Sequence, residues 1–244
     1  MEQVSALNSE EEVKRFSVYR IVEHAVLIVL FIVLACTGLP QKFYVVGVSQ
    51  SIIILLGGID NLRLIHHIAG GLFGALAVQH IAVNFAGIMF CRSQPSMLIT
   101  FKDAHDAFQN VRYYLGLSDG PASSSWYSYK EKCIYWLVLI GGSQMIMTGL
   151  ILWFPVISTK FLPGIFVPLS KTVHTSDAML IFLLIITWHI YDSVLSPEVF
   201  PFNASIFTGY AKKRQLDARA AHAESREMGI DSHESLVDRK HTLL

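Results

Sequence analysis

Cysteine is scarce in this chain: three residues in 244, at Cys36, Cys91 and Cys133, far from one another. No C-x-x-C-H stretch occurs, so covalent c-type haem attachment is excluded, and no cysteine cluster of iron–sulfur or zinc spacing is present. Isolated cysteines in apolar or membrane-edge surroundings read as packing residues. Charge is scarce as well. Asp, Glu, Lys and Arg make up 16% of the chain and cancel to a formal net charge of zero. That total says nothing about partners, and no nucleic-acid partner is expected. No internal repeat in the 20–50-residue range stands out.

Apolar residues are what the chain has in quantity. They form 52% of it, and the mean hydropathy of +0.46 is too high for an ordinary soluble domain and points to a polytopic membrane protein. Four runs are long enough to cross a bilayer, at about residues 21–40, 64–90, 133–159 and 173–194. The first is too long for a signal-peptide core and has no small-residue cleavage site, so it reads as a retained span. Thr37-Gly-Leu-Pro40 is expected to end it. The run 51–57 is too short to span and reads as a short interfacial helix. The fold class expected is therefore all-α, an integral membrane four-helix bundle. Residues 1–209 would form the membrane domain and 210–244 a charged cytoplasmic tail, preceded by a proline-punctuated amphipathic segment, Ser196-Pro-Glu-Val-Phe-Pro-Phe202.

Lys and Arg set the orientation. Three lie in the N-terminal arm, five between spans two and three and seven in the tail, against four in the other two connections. Both termini are thus expected inside, in the cytoplasm, with spans two and four running in the same direction. The expected location is the inner (plasma) membrane of a prokaryote.

Histidine recurs inside these spans, and intramembrane histidine marks function by default. His174 and His189 sit fifteen residues apart on the fourth span; His66 and His80 sit fourteen apart on the second. At about 1.5 Å per residue, fifteen residues rise roughly 22 Å, and the two imidazoles project within roughly 60° of each other around the helix. His66 and His174 then share an outer level, while His80, His189 and also His24, at the start of span one, share an inner one. Haem iron takes an imidazole on each axial face, one from each of two flanking helices. Two levels of paired histidines could therefore hold two b-type haems, with irons about 20 Å apart by the helix rise. His67 competes with His66, but adjacent residues point about 100° apart and only one can face the ring. Zinc prefers closely spaced donors, and a proton relay is the other use of such residues. Gly70, Gly71 and Gly74 would let a neighbouring helix or a flat cofactor approach the backbone. Asp177, near one helical turn past His174, could orient that imidazole. Glu131, Lys132, His105 and Asp106 are titratable groups that could serve a quinone, whose reduction needs two protons; for each taken singly the better reading is a solvated loop with positive-inside charge.

Several stretches in this order carry a family resemblance: Arg20-Ile-Val-Glu-His24 with Thr37-Gly-Leu-Pro40, and Arg63-Leu-Ile-His66 with Gln79-His80. Tyr129-Lys-Glu-Lys132, Tyr135-Trp136, Thr148-Gly-Leu-Ile-Leu-Trp153, His174 with Asp177, Trp188-His189-Ile-Tyr191, Pro197-Glu-Val-Phe-Pro201 and Thr208-Gly209 follow. In these the chain resembles the membrane di-haem cytochrome b subunits related to the gamma subunit of formate dehydrogenase, and those of thiosulfate reductases and nickel–iron hydrogenases. The resemblance spans residues 16–209. It implies an outer haem ligated by His66 and His174, and an inner one ligated by His189 with His24. Span two alone points instead to His80, so both partners stay open, the other serving a quinone or a haem propionate. It also implies electron exchange with a quinone (menaquinone or ubiquinone) near the inner haem and with an outer-face redox subunit, an iron–sulfur or multihaem protein. The chain would then be the electron-transfer subunit of a larger respiratory oxidoreductase. Ala25 stands where relatives often have tryptophan, and the segment before span three is shorter than in the formate dehydrogenase subunit, so quinone-contacting residues do not carry over. A proton-coupled transporter with a histidine relay is the main alternative; a purely structural anchor is another.

Overall fold

The computed structural model describes residues 12–91, 96–118, 120, 122, 127–196 and 204–212. The segment 197–202, most of the tail and the start of the N-terminal arm lie outside the described residues. Helix accounts for 79% of the described structure, in eight α-helices, four of them long and apolar enough to cross a membrane. The chain divides into two compact units, residues 16–94 with 134–208, and residues 1–15 with 95–133 and 209–244.

The larger unit holds the spans. α1, Val18–Lys42, starts at the N-cap Ser17 and runs through Pro40, where a stop was expected. A proline so near the end removes only one intrahelical bond, and Phe43 N–H still bonds Leu39 C=O at 2.9 Å. α2, Gly47–Leu55, closes on Gly57 and Gly58, whose φ angles of 82° and 103° few other residues adopt. Gly58 N–H reaches Ile53 C=O and Gly57 N–H reaches Ile54 C=O, the paired bonds that satisfy a helix end before the chain turns. α3, Ile59–Cys91, begins five residues before the expected span. Its 33 residues rise about 50 Å, more than the roughly 30 Å of hydrocarbon.

α5, Tyr129–Trp153, also starts early and ends at Trp153 rather than at 159, because Pro155 restarts the chain as the short α6, Pro155–Ser158. α7 covers Phe166–Leu184, seven residues before the expected start, and continues as two π-helical turns, Ile185–His189 and Tyr191–Leu195. α8, Ser205–Thr208, follows.

Glycines set the helix contacts. A Cβ on Gly71 or Gly74 would stand 3.9 Å from Trp153 or 3.8 Å from Ile146, both on α5. A Cβ on Gly142 of α5 would meet the Phe73 ring at 2.9 Å, and one on Gly141 would meet Ile181 of α7 at 2.9 Å. Phe31 of α1 stacks on Phe182 of α7 at 6.3 Å. The four spans thus neighbour one another in the ring order α1, α3, α5, α7. Outward faces carry exposed Val29, Leu72, Val78, Ile140 and Leu183, the side chains a lipid-facing surface needs. Among the described residues Leu30, Leu62 and Ala69 are buried apolar groups of the core, Leu62 completely.

The smaller unit departs from the all-α expectation. β1, Glu12–Lys14, pairs antiparallel with β2, Tyr210–Lys212, with Val13 opposite Ala211, and Arg15 N–H extends the ladder to Gly209 C=O at 2.8 Å. The connection 91–132, which reads as a polar loop, contains α4, Phe101–Tyr114. Thr100 and Asp103 form a capping box at its start. Asp103 also accepts a hydrogen bond from Lys132 Nζ at 2.8 Å, and both side chains are buried. Arg15 binds both Glu131 oxygens, at 2.9 and 3.0 Å. These bonds gather the N-terminal arm, the connection before the third span and the strand after the fourth into one unit.

Candidate functional site

Two pairs of imidazoles face one another inside the larger unit. His66 of α3 and His174 of α7 have ring centroids 6.3 Å apart, inclined by 78°. Each is held by a threonine of a different span. Thr37 Oγ1 lies 2.7 Å from Val33 C=O, four residues back on α1, and 2.8 Å from His66 Nδ1. Thr148 Oγ1 lies 2.8 Å from Gln144 C=O on α5 and 2.9 Å from His174 Nδ1. A hydroxyl has one proton to give, and the carbonyl can only accept it. Each Thr oxygen is therefore left as an acceptor, and each Nδ1–H donates to it. In the neutral imidazole this leaves Nε2 as a bare lone pair, the form that ligates a metal.

The residue after each threonine is glycine. A Cβ on Gly38 would come 3.2 Å from His66 Cε1, and one on Gly149 would come 3.4 Å from His174 Cε1. A Thr-Gly pair thus seats each ring, the hydroxyl orienting it and the missing side chain admitting its edge. The motifs were visible in the sequence as Thr37-Gly38 and Thr148-Gly149, but their task was not, because each serves a histidine 29 or 26 residues later on another helix. Asp177, weighed as an orienting group for His174, is not its Nδ1 partner: Thr148 holds His174 Nδ1, and Asp177 Oδ2 is buried with no hydrogen-bond partner.

The second pair is His24 of α1 with His189, whose ring centroids lie 6.4 Å apart and inclined by 69°. His189 ends the first π-turn; such turns add a residue to the helical circuit and recur at functional positions. Phe207 closes on His24 edge-on at 6.0 Å, and His24 Nδ1 is buried without a hydrogen-bond partner.

His80, the other candidate beside His189, is engaged elsewhere. Its Nδ1 lies 2.9 Å from Glu23 Oε1, and its Nε2 lies 3.1 Å from the Tyr135 hydroxyl. A carboxylate only accepts, so Nδ1–H donates to Glu23, and in the neutral ring Nε2 accepts from Tyr135 O–H. Arg20 Nη1 is 3.2 Å from the same Nδ1 and donates to Glu23 Oε2 at 2.8 Å. Arg20 Nη2 donates to Asn84 Oδ1 at 2.5 Å, and Asn84 Nδ2 to His80 C=O at 2.7 Å. Tyr19 O–H adds a third donor to Glu23 at 3.1 Å. His67 turns away from His174 and stacks on Trp153 at 4.7 Å.

The donor set fits a haem. With a metal–imidazole bond of about 2.0 Å and a ring centre about 1.1 Å behind the ligating nitrogen, two axial imidazoles have centroids about 6.2 Å apart. Both pairs match that span. Among the described residues no group of three or more His, Cys, Asp or Glu converges; the donors come in twos, the number a planar four-nitrogen ring leaves for the protein to supply.

The residues considered for the quinone end lie in the smaller unit and form ion pairs there. Glu131 is bound to Arg15, Lys132 to Asp103, and Asp106 accepts from Lys102 at 3.2 Å. His105 is exposed, with Nδ1 3.8 Å from Asp106. Burial alone would raise the Asp103 carboxyl, but the Lys132 ammonium and the Thr100 N–H and hydroxyl outweigh it and hold it below the usual carboxylate range. A comparison with models of known protein families found no match, and a comparison with curated proteins found none either.

Proposed function

We propose that this chain is a membrane di-haem b-type cytochrome that carries electrons between a membrane quinone and a redox partner on the outer face. The observation that carries the reading is the pair of facing imidazole couples on separate membrane-crossing helices, 6.3 and 6.4 Å between centroids. His66 and His174 would ligate the outer haem, their Nε2 lone pairs presented by Thr37 and Thr148. His24 and His189 would ligate the inner one, since both ring nitrogens of His80 are already in hydrogen bonds. Bound there, the two haems supply one-electron carriers at two depths of the membrane.

The remaining polar groups of the larger unit suit the proton side of quinone chemistry. Tyr135 O–H, His80 Nδ1–H and the Glu23 carboxylate form an unbroken line of hydrogen bonds, and each can hold or hand on a proton. Arg20 and Asn84 fix that line in place. Grouping the Lys/Arg-rich arm, second connection and post-span strand in one unit agrees with both termini lying in the cytoplasm by the positive-inside rule. An iron–sulfur or multihaem subunit on the opposite side would complete the path. The sequence stretches that resemble formate dehydrogenase gamma-type subunits support the same assignment.

A pyridine haemochrome assay on the purified chain tests this directly, with about two non-covalent haems per polypeptide expected from the two imidazole pairs. A purified, folded chain with no Soret band overturns it. That outcome would favour the second reading, a proton-coupled transporter using the Tyr135–His80–Glu23 line as its relay.

A further inference from the structure

α4 has its polarity inside out. Its buried residues are Asp103, Asp106, Gln109 and Asn110, while Phe101 is 97%, Phe108 64% and Leu115 68% exposed, and Val111 is exposed beside them. At about 100° per residue these sets lie on opposite sides of the helix. The polar side is satisfied from within: Lys132 donates to Asp103, Asn110 donates to Tyr129 O–H at 3.1 Å, and Gln109 donates to Ser118 at 2.8 Å. A helix surrounded by water would be arranged the other way round.

Its position says what covers the apolar side. Tyr129 and Lys132 form the first turn of α5, a helix long and apolar enough to cross a membrane. The first turn of a span stands at the bilayer boundary, where tyrosine is a common anchor. The hydrogen bonds that join α4 to Tyr129 and Lys132 hold it beside that turn. Arg112, about 20° around the helix from Phe101, lies at one border of the apolar face, roughly where headgroup phosphates would be.

We infer that α4 is a membrane-surface helix whose Phe101, Phe108, Val111 and Leu115 side chains are seated among phospholipid acyl chains. The inverted pattern then has a physical cause. The hydrocarbon covers the aromatic face, and the Asp103–Lys132 ion pair and its polar neighbours fasten the helix to the third span from the protein side. The inference needs only the membrane location and stands whether or not the chain binds haem.

Nitroxide scanning tests it on the full-length protein in phospholipid nanodiscs, with the three native cysteines replaced. Labels at Phe101→Cys, Phe108→Cys and Leu115→Cys would be compared with Val29→Cys on the outer face of α1 and Lys160→Cys in the hairpin after α6. All five sites are exposed, so labelling leaves the packing intact. Expected is collision with oxygen exceeding collision with a water-soluble nickel chelate at the three α4 positions, as at position 29. Collision dominated by the nickel chelate, as at position 160, overturns the inference. Shielding from both reagents also overturns it and assigns the face to a protein, either a partner subunit or a second copy.

Discussion

Replacing Thr148 by valine removes one oxygen and keeps the side chain's shape. That oxygen accepts from His174 Nδ1–H at 2.9 Å, within an apolar helix interface. An unpaired donor in such surroundings costs about 1–3 kcal/mol. At about 1.4 kcal/mol per factor of ten, affinity for haem at the outer level falls by roughly 5- to 150-fold. That range overlaps the roughly 10- to 100-fold typical of losing a partner behind a metal-bound histidine. The lost bond also makes the imidazole less basic, which disfavours ferric iron, so the midpoint potential of that centre rises. Titrating apo-protein with haem at the Soret band gives the affinity, and a spectroelectrochemical titration gives the potential. Thr148→Ser, which keeps the oxygen, should restore both; Thr37→Val should reproduce the defect through His66. An unchanged affinity and potential in both valine variants would refute the tautomer argument, because it makes the hydroxyls the acceptors for Nδ1–H.

At the inner level, His24→Ala should lose one haem of two while His80→Ala retains both, read by haem stoichiometry; the reverse result would transfer the axial role to His80. Asp103→Asn should weaken the attachment of α4 by about 1.5–3 kcal/mol, the range for hydrogen bonds to charged groups, seen as faster amide exchange in α4. The Asp103 carboxyl lies below its ordinary range when folded. Its contribution is therefore complete above the unfolded pKa and disappears as pH falls through the lower folded value; exchange in α4 should accelerate at acid pH in the native chain and respond less in D103N. Gly142→Ala would set a Cβ 2.9 Å from the Phe73 ring and should destabilise the α3–α5 contact by about 1–3 kcal/mol, partly offset by better helix propensity. Gly70→Ala meets no atom within 4 Å and should leave thermal stability of the apo-protein undiminished.

The four spans were legible because an apolar run and its flanking charges are read residue by residue, without knowledge of neighbours. Their ends were less so. α3 and α7 begin before their apolar runs at Ile59 and Phe166, and α5 stops at Trp153, since hydrogen bonding carries a helix past the hydrophobic boundary until a proline or glycine intervenes. α4 was missed because its pattern of buried Asp, Gln and Asn is the opposite of the one that marks a helix against a soluble core. The strand pair β1–β2 joins residues about 200 positions apart, and three-residue strands carry no usable periodicity.

The sequence by itself determined that the chain crosses a membrane and that histidines stand at two depths in it, because helix rise converts spacing into height. Which ring stands beside His189, and that Thr37 and Thr148 carry the Nδ1 protons' acceptors, only the tertiary structure decided. Height is a property of one helix. The direction in which a side chain meets its neighbour depends on how helices pack and on where π-turns shift the circuit, and those are settled between segments that the sequence keeps far apart.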